Sequence, residues 1–115
     1  MMLCRTIAPL LLGALVAFGA HAQPAADYPS QPIRLIVPFP PGGALDTMAR
    51  KVGEDLRTRL NTPIIVENRP GAGTVLGTDL VARAPADGYT LLLNAPGGIQ
   101  QLPWMQKVPY DPIKD

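Results

Sequence analysis

The chain has 115 residues, of which 47% are hydrophobic and 17% are charged, and its formal net charge is +1. This balance is typical of a globular protein of one small domain. It excludes a disordered chain, which would be less hydrophobic and more highly charged. No run of like charges is longer than a pair, which disfavours a nucleic-acid partner, since such proteins present a basic stripe.

The first 22 residues have the pattern of a secretory signal peptide. Arg5 supplies a positive charge, residues 7–20 form an apolar stretch, and Ala20-His21-Ala22 is a small-x-small cleavage site. A membrane anchor is the alternative, but a spanning helix needs about 20 apolar residues and this stretch is shorter. We therefore expect cleavage after Ala22. It would remove Cys4, the only cysteine, and with it any disulfide or thiolate chemistry.

A polar leader, residues 23–31, precedes the first predicted strand, residues 33–37, which Pro32 and Pro38 bound. Apolar residues then recur at three- and four-residue steps, which predicts a helix of about four turns that starts near Leu45 and is stopped by Asn61 and Pro63. The apolar stripe of this helix consists of Leu45, Met48, Ala49, Val52, Leu56 and Leu60.

The alternation of strands and helices continues to residue 93. Residues 64–66 predict a second strand, and residues 89–93 a third. Between them lies a second helix, marked by Val75, Leu76, Leu80, Val81 and Ala84. The helices return each strand parallel to the last, so we predict half of an open α/β sheet. Parallel sheets are covered on both faces, and we therefore expect the rest of the sheet and a second domain to lie outside this chain.

Glycine-rich turns follow all three predicted strands. In open α/β sheets ligands bind beyond the carboxyl ends of the strands, which makes these turns the candidate site. Gly42 and Gly43 let backbone N–H groups face a carboxylate or phosphate. Alternatively they only make a tight turn, and Asp46 only favours the positive end of the helix. Residues 94–98 either offer an amide side chain and N–H groups to the same cleft or form a simple turn.

Other chemistries lack the residues that they require. Gly71, Gly73 and Gly77 suggest a dinucleotide-binding enzyme, but the last glycine comes one place late and no Gly-Lys-Ser or Gly-Lys-Thr follows any loop. The only histidine and the only serine, His21 and Ser30, lie in the signal and the leader. The carboxylates lack a calcium-loop spacing. We predict no catalytic, cofactor or metal site, and a packing role for Trp104 and Tyr110.

Several separated motifs resemble the receptors of tripartite tricarboxylate transporters, the Bug family, in the family's order. The matching stretches are Tyr28-Pro29, residues 32–43, Asp46, Ala49-Arg50, residues 66–73, Gly77-Thr78, residues 87–91 and residues 109–112. The resemblance implies a type II periplasmic-binding-protein-like fold, a parallel open sheet with flanking helices. Residues 32–115 would be the first part of domain 1, and the second domain of the flytrap would be absent.

The resemblance also implies a monomeric periplasmic receptor that needs no cofactor. Its partners would be a small carboxylate (a di- or tricarboxylate, an amino acid or an aromatic acid) and the permease subunits of the transporter. The loops would hold the carboxylate through backbone amides and water. The residues that would line the site are Phe39, Gly42, Gly43, Ala44 and Asp46, and in a second loop Asn94, Ala95, Gly97 and Gly98. Leu45, where the family often has Thr or Ser, leaves the ligand open, and a non-functional fragment of such a receptor is the alternative.

Overall fold

The computed structural model describes residues 27–115. The predicted signal peptide and the first part of the polar leader lie outside these residues. Within the described part of the chain, no helix is long and apolar enough to cross a membrane.

In the described residues, three parallel strands form the sheet, in the order β2-β1-β3. They are β1 (Ile33–Val37), β2 (Ile64–Asn68) and β3 (Thr90–Leu92), and Leu35 at the centre pairs with Val66 on one side and Leu91 on the other. Helix α1 (Ala44–Leu60) joins β1 to β2, and helix α2 (Val75–Ala82) joins β2 to β3 after a short 3-10 turn. The predicted order of strand, helix, strand, helix, strand is therefore confirmed.

The two helices cover opposite faces of the central strand. Leu35 and Val37 pack on Ala49 of α1. Pro38 contacts α2 instead, where a Cβ on Gly77 would lie 2.7 Å from the Pro38 Cβ. Neighbouring residues of a strand point to opposite faces, so α1 and α2 lie on different sides of β1. The missing side chain at Gly77 allows the close approach of α2.

The buried line of α1 differs from the predicted apolar stripe. Met48 and Val52 are 55% and 38% exposed, whereas Asp46, Ala49 and Gly53 are buried. A Cβ on Gly53 would lie 3.4 Å from side-chain carbons of both Ile64 and Val66 in β2. Because α1 lies this close to the sheet along its small residues, the larger Met48 and Val52 are turned to its flank.

The segment after β3 is helical, where the sequence predicted a turn and a proline-rich tail. A π-helical stretch, Gly97–Gln101, leads into α3 (Leu102–Met105). Proline suits the first turn of a helix, where its missing N–H has no partner to lose, so Pro103 does not prevent α3. Tyr110 is buried as predicted, but the predicted packing role of Trp104 is wrong for the described residues, since its side chain is 89% exposed.

Candidate functional site

Three loops lie at the carboxyl edge of the sheet, where parallel strands end together. Loop 1 (residues 38–43) follows β1, loop 2 (residues 69–74) follows β2, and loop 3 (residues 93–98) follows β3. From β1 the chain crosses over one face to β2, and it returns over the other face to β3. Such a sheet has its ligand crevice where the strand order reverses, between β1 and β3. Loop 1 and loop 3 flank that position.

Asp46 holds loop 1 in place from the first turn of α1. Its Oδ2 accepts the Gly42 N–H at 2.9 Å and the Arg50 Nε–H at 3.1 Å. Its Oδ1 accepts the Asn68 amide N–H at 3.0 Å and lies 3.1 Å from an Arg50 Nη. The Gly42 N–H, followed by Arg50 and Asn68, lowers the Asp46 pKa to about 2. The buried carboxylate therefore already accepts hydrogen bonds from protein donors, and the Gly42 N–H is one of these donors.

Asn68, at the end of β2, is a part of this arrangement that we did not predict. Its amide nitrogen donates to the Phe39 carbonyl at 3.1 Å as well as to Asp46. One side chain thus connects β2, loop 1 and α1. The sequence offered one signal, the position of Asn68 at the end of a strand, beside a glycine-rich turn.

The start of α1 carries no side-chain cap. Gly43 is the N-cap residue, in extended conformation, and among residues 27–115 no side chain bonds to the amides of the first turn. Those amides also have no partner within the helix. Beside them lies a surface depression of about 510 Å³, which is open to solvent. Its lining consists of Phe39, Pro40, Pro41, Gly43, Ala44 and Leu45.

Loop 3 presents its Asn94 side chain to the protein interior. The Asn94 Nδ2 donates to the Thr78 hydroxyl at 3.0 Å, and its Oδ1 accepts the Ala95 N–H at 2.7 Å. Gly98 is buried, and its carbonyl accepts the Tyr110 hydroxyl at 2.8 Å. Gly97 is less confined, since the nearest atom to a Cβ there would be the Gln101 Oε1, at 3.7 Å.

Loop 2 is a left-handed turn rather than the start of a nucleotide site. Ala72, Gly73 and Thr74 have φ values of 46°, 62° and 83°. Gly77, the late glycine of the apparent fingerprint, lies where a Cβ would meet Pro38 and, at 2.8 Å, the Arg69 carbonyl. Its missing side chain is explained by packing of α2 on the end of β1.

The predicted site residues therefore fall into two groups on neighbouring strand ends. Phe39, Gly43 and Ala44 line the depression beside α1, while Gly42 and Asp46 bond to each other beneath it. The residues of the second group, Asn94, Ala95, Gly97 and Gly98, lie in loop 3 and the turn that follows it. Within residues 27–115, no group of three or more His, Cys, Asp or Glu side chains lies close enough to hold a metal ion.

Known proteins share both the sequence and the fold of this chain. BugT of Bordetella pertussis is 46% identical over 110 residues, which are 91% of this chain and 33% of BugT. A solved structure described as a periplasmic transporter is 42% identical, with a TM-score of 0.64 over 76% of this chain and 30% of its own. MatC from Rhodopseudomonas palustris, solved with bound malate, is 33% identical, with a TM-score of 0.65 over 74% of this chain and 29% of MatC. These structures confirm the predicted periplasmic-binding-protein-like fold, and the chain spans about a third of the length of BugT.

A family model matches residues 48–115, which are more than half of the chain, and its description is tripartite tricarboxylate transporter family receptor. That family consists of receptors rather than enzymes, as the resemblance implied. The resemblance predicted from separated motifs is thus confirmed, and the chain belongs to the tripartite tricarboxylate transporter receptor family.

Proposed function

We propose that this chain is part of an exported receptor that captures a small carboxylate outside the cytoplasmic membrane. The receptor would deliver its ligand to the permease subunits of a tripartite tricarboxylate transporter and would act as a monomer in the periplasm. In this proposal residues 1–22 are a signal peptide cleaved after Ala22, residues 23–31 a leader, and residues 32–115 the first part of domain 1. Membership of the receptor family supports this assignment, as does the malate bound to MatC.

The observation that carries the proposal is the uncapped start of α1 at the carboxyl edge of the sheet. The free amides of a first helical turn, together with the positive end of the helix dipole, favour a bound anion. In the proposed complex the ligand carboxylate accepts hydrogen bonds from amides at Gly43 and Ala44, and Phe39 forms an apolar wall. Gly42 and Asp46 contribute by holding loop 1, since they already bond to each other.

Loop 3 forms the second wall in this proposal. Loop 3 follows β3, which pairs with β1. A hydrogen bond of 2.9 Å from the Leu93 N–H to the Ile36 carbonyl extends this pairing to the first residue of loop 3. Ala95 and Gly97 carry little or no side chain, so their backbone can approach a ligand closely.

The test is a thermal-shift screen of the purified protein against dicarboxylates, tricarboxylates, amino acids and aromatic acids. A ligand at 100 times its dissociation constant stabilises the folded state by about 2.7 kcal/mol, which raises the melting temperature by several degrees. We expect at least one carboxylate to do so and its uncharged amide analogue to have no effect. Equal stabilisation by acid and amide, or none by any acid, would count against the proposal.

The alternative named above, a non-functional fragment of such a receptor, would bind no carboxylate. Native mass spectrometry of the protein from the periplasm of its source cell separates the two. A signal-cleaved protein that carries a small acid supports the receptor. A bare chain of residues 23–115 supports the alternative.

A further inference from the structure

The side chain of Asn94, in loop 3, is held by one hydroxyl of α2. The Asn94 Nδ2 donates to the Thr78 Oγ1 at 3.0 Å, while the Asn94 Oδ1 accepts the Ala95 N–H at 2.7 Å. Thr78 is 5% exposed. A single buried hydroxyl therefore fixes both the Asn94 side chain and, through it, the next amide of the loop.

The same hydroxyl also reaches loop 2. The Thr78 Oγ1 donates to the Thr74 carbonyl at 2.9 Å, so it accepts from loop 3 and donates to loop 2. Thr74 has a φ of 83°, a conformation that β-branched residues rarely adopt. Loop 2 is thus held in an unusual shape at the residue that Thr78 contacts.

The far end of loop 3, at Gly98, also packs against loop 2. A Cβ on Gly98 would lie 2.7 Å from both side-chain polar atoms of Asn94 and would overlap the Thr74 hydroxyl. On its other side, Gly98 accepts the Tyr110 hydroxyl. The two ends of the loop are therefore anchored.

From these contacts we propose that Thr78 is a positioning residue of the binding edge. Its hydroxyl fixes loop 3 against loop 2 and so sets the position of residues 94–98 relative to loop 1. Thr78 acts through Asn94 and does not touch the ligand. The proposal rests on the receptor function above, in which loop 3 is a wall of the carboxylate site.

Amide hydrogen exchange tests the link without any ligand. Thr78→Val removes both hydrogen bonds and keeps the shape of the side chain, while Thr78→Ser keeps the hydroxyl. The reporters are the N–H of Ala95 and that of Gly98, which donates to the Ala95 carbonyl at 3.0 Å. We expect both to exchange about tenfold faster in Thr78→Val than in Thr78→Ser. The amide of Leu93, bonded within the sheet, stays unchanged.

Thr58 provides a matched control variant. Its hydroxyl donates the same type of bond, to the carbonyl four residues earlier (Glu54, 3.0 Å), on the exposed face of α1. Thr58→Val therefore removes an equivalent helical bond away from the loops and leaves the exchange of Ala95 and Gly98 unchanged. If Thr78→Val does not fold, Asn94→Ala breaks the same link from the other side, with Gly98 as the reporter.

Equal exchange at Ala95 and Gly98 in Thr78→Val and Thr78→Ser would overturn the positioning role. The second measurement is the dissociation constant of the carboxylate found in the screen, which we expect to rise about tenfold in Thr78→Val and to stay near the wild-type value in Thr78→Ser. Unchanged affinity in Thr78→Val would also overturn the proposal. If the wild type binds no carboxylate, the receptor function fails, and the exchange comparison alone decides whether Thr78 positions loop 3.

Discussion

The Asn68 amide nitrogen lies 3.0 Å from the Asp46 Oδ1, which connects the end of β2 to the first turn of α1. Asn68 also donates to the Phe39 carbonyl, so its side chain holds loop 1 against the end of β2. We expect Asn68→Ala to lower the free energy of unfolding by about 1–3 kcal/mol, since it leaves two acceptors without this donor. Asn68→Asp should be more destabilising at pH 7, because it places a second carboxylate beside Asp46.

The two variants are separated by their dependence on pH. Below pH 5 one carboxyl group of the Asn68→Asp pair can take a proton, so its repulsion is relieved. Urea denaturation at pH 7 and pH 4.5 measures how much less stable each variant is than the wild type. This loss of unfolding free energy should be smaller at pH 4.5 for Asn68→Asp and the same at both pH values for Asn68→Ala. If the loss of unfolding free energy changes with pH in the same way in both variants, residue 68 does not face Asp46.

Gly43 offers a test in which stability and affinity change in opposite directions. Its backbone is extended and a Cβ would lie 3.8 Å from its nearest neighbour, so a side chain fits. In Gly43→Ser the hydroxyl caps α1, which we expect to add a few tenths of a kcal/mol to its stability. The added side chain also takes up space beside the Gly43 and Ala44 amides that are offered to the ligand, so carboxylate affinity should fall about tenfold. Calorimetry and denaturation measure the two effects.

The matched variant Gly43→Ala adds a methyl group that cannot cap the helix. It should lose stability where Gly43→Ser gains it, since alanine is a poor N-cap residue. Wild-type affinity in Gly43→Ser would place the carboxylate elsewhere than at the start of α1.

Glu67 and Asp46 make the fold sensitive to acid. The Arg34 side chain, with help from Arg69, lowers the Glu67 pKa to about 2, and the Asp46 pKa is also about 2. Both values lie below the ordinary range near pH 4, so the stabilisation is complete above about pH 5 and is lost as the pH falls toward 2. In Glu67→Gln the fall in unfolding free energy over this range should be smaller than in the wild type.

The control for the acid titration is Asp55→Asn. The ion pair of Asp55 with Arg59 is 61% and 73% exposed, and such pairs contribute little to stability. Its pH profile should follow that of the wild type. A Glu67→Gln profile that also follows the wild type would show that the contacts with Arg34 and Arg69 do not persist in solution.

Thr74 carries a buried hydroxyl that makes no hydrogen bond among the described residues. Replacing such a group with a methyl group of the same shape removes a desolvation cost, so Thr74→Val should raise the free energy of unfolding by about 1 kcal/mol. Thr74→Ser keeps the hydroxyl and serves as the control. Urea denaturation measures both. A less stable Thr74→Val would mean that the hydroxyl bonds to a water molecule or to a ligand in solution.

The order of strands and helices could be predicted because the chain places strong breaks between them. Pro38, Pro63 and Pro85 separate apolar runs of distinct period, and Asn61 ends α1 in the left-handed conformation, with a φ of 49°. The buried line of α1 could not be predicted from hydrophobicity alone. It follows Ala49 and Gly53, whose small size lets the helix approach β2, and that approach depends on Ile64 and Val66.

The site was predictable in its location and less so in its contacts. Parallel strands bring their carboxyl ends together, so loops 1 and 3 could be placed at one edge from the sequence. The contact of Asp46 with Asn68 could not, because Asn68 lies 22 positions away and comes near loop 1 and α1 through its pairing with Val37 at the end of β1. The helical segment after Pro96 was missed because glycine and proline also favour turns there.

The hydrogen bonds and the ion pair of Asp46 have an electrostatic consequence for an anionic ligand. A carboxylate bound at the start of α1 would lie within a turn of Asp46, where an unshielded negative charge would repel it. Arg50 balances that charge at 3.1 Å, and the Asp46 side chain is turned inward, 6% exposed. Loop 1 is also held before any ligand arrives, so binding loses little conformational entropy there. An acidic residue in the first turn of α1 is therefore compatible with a pocket for acids.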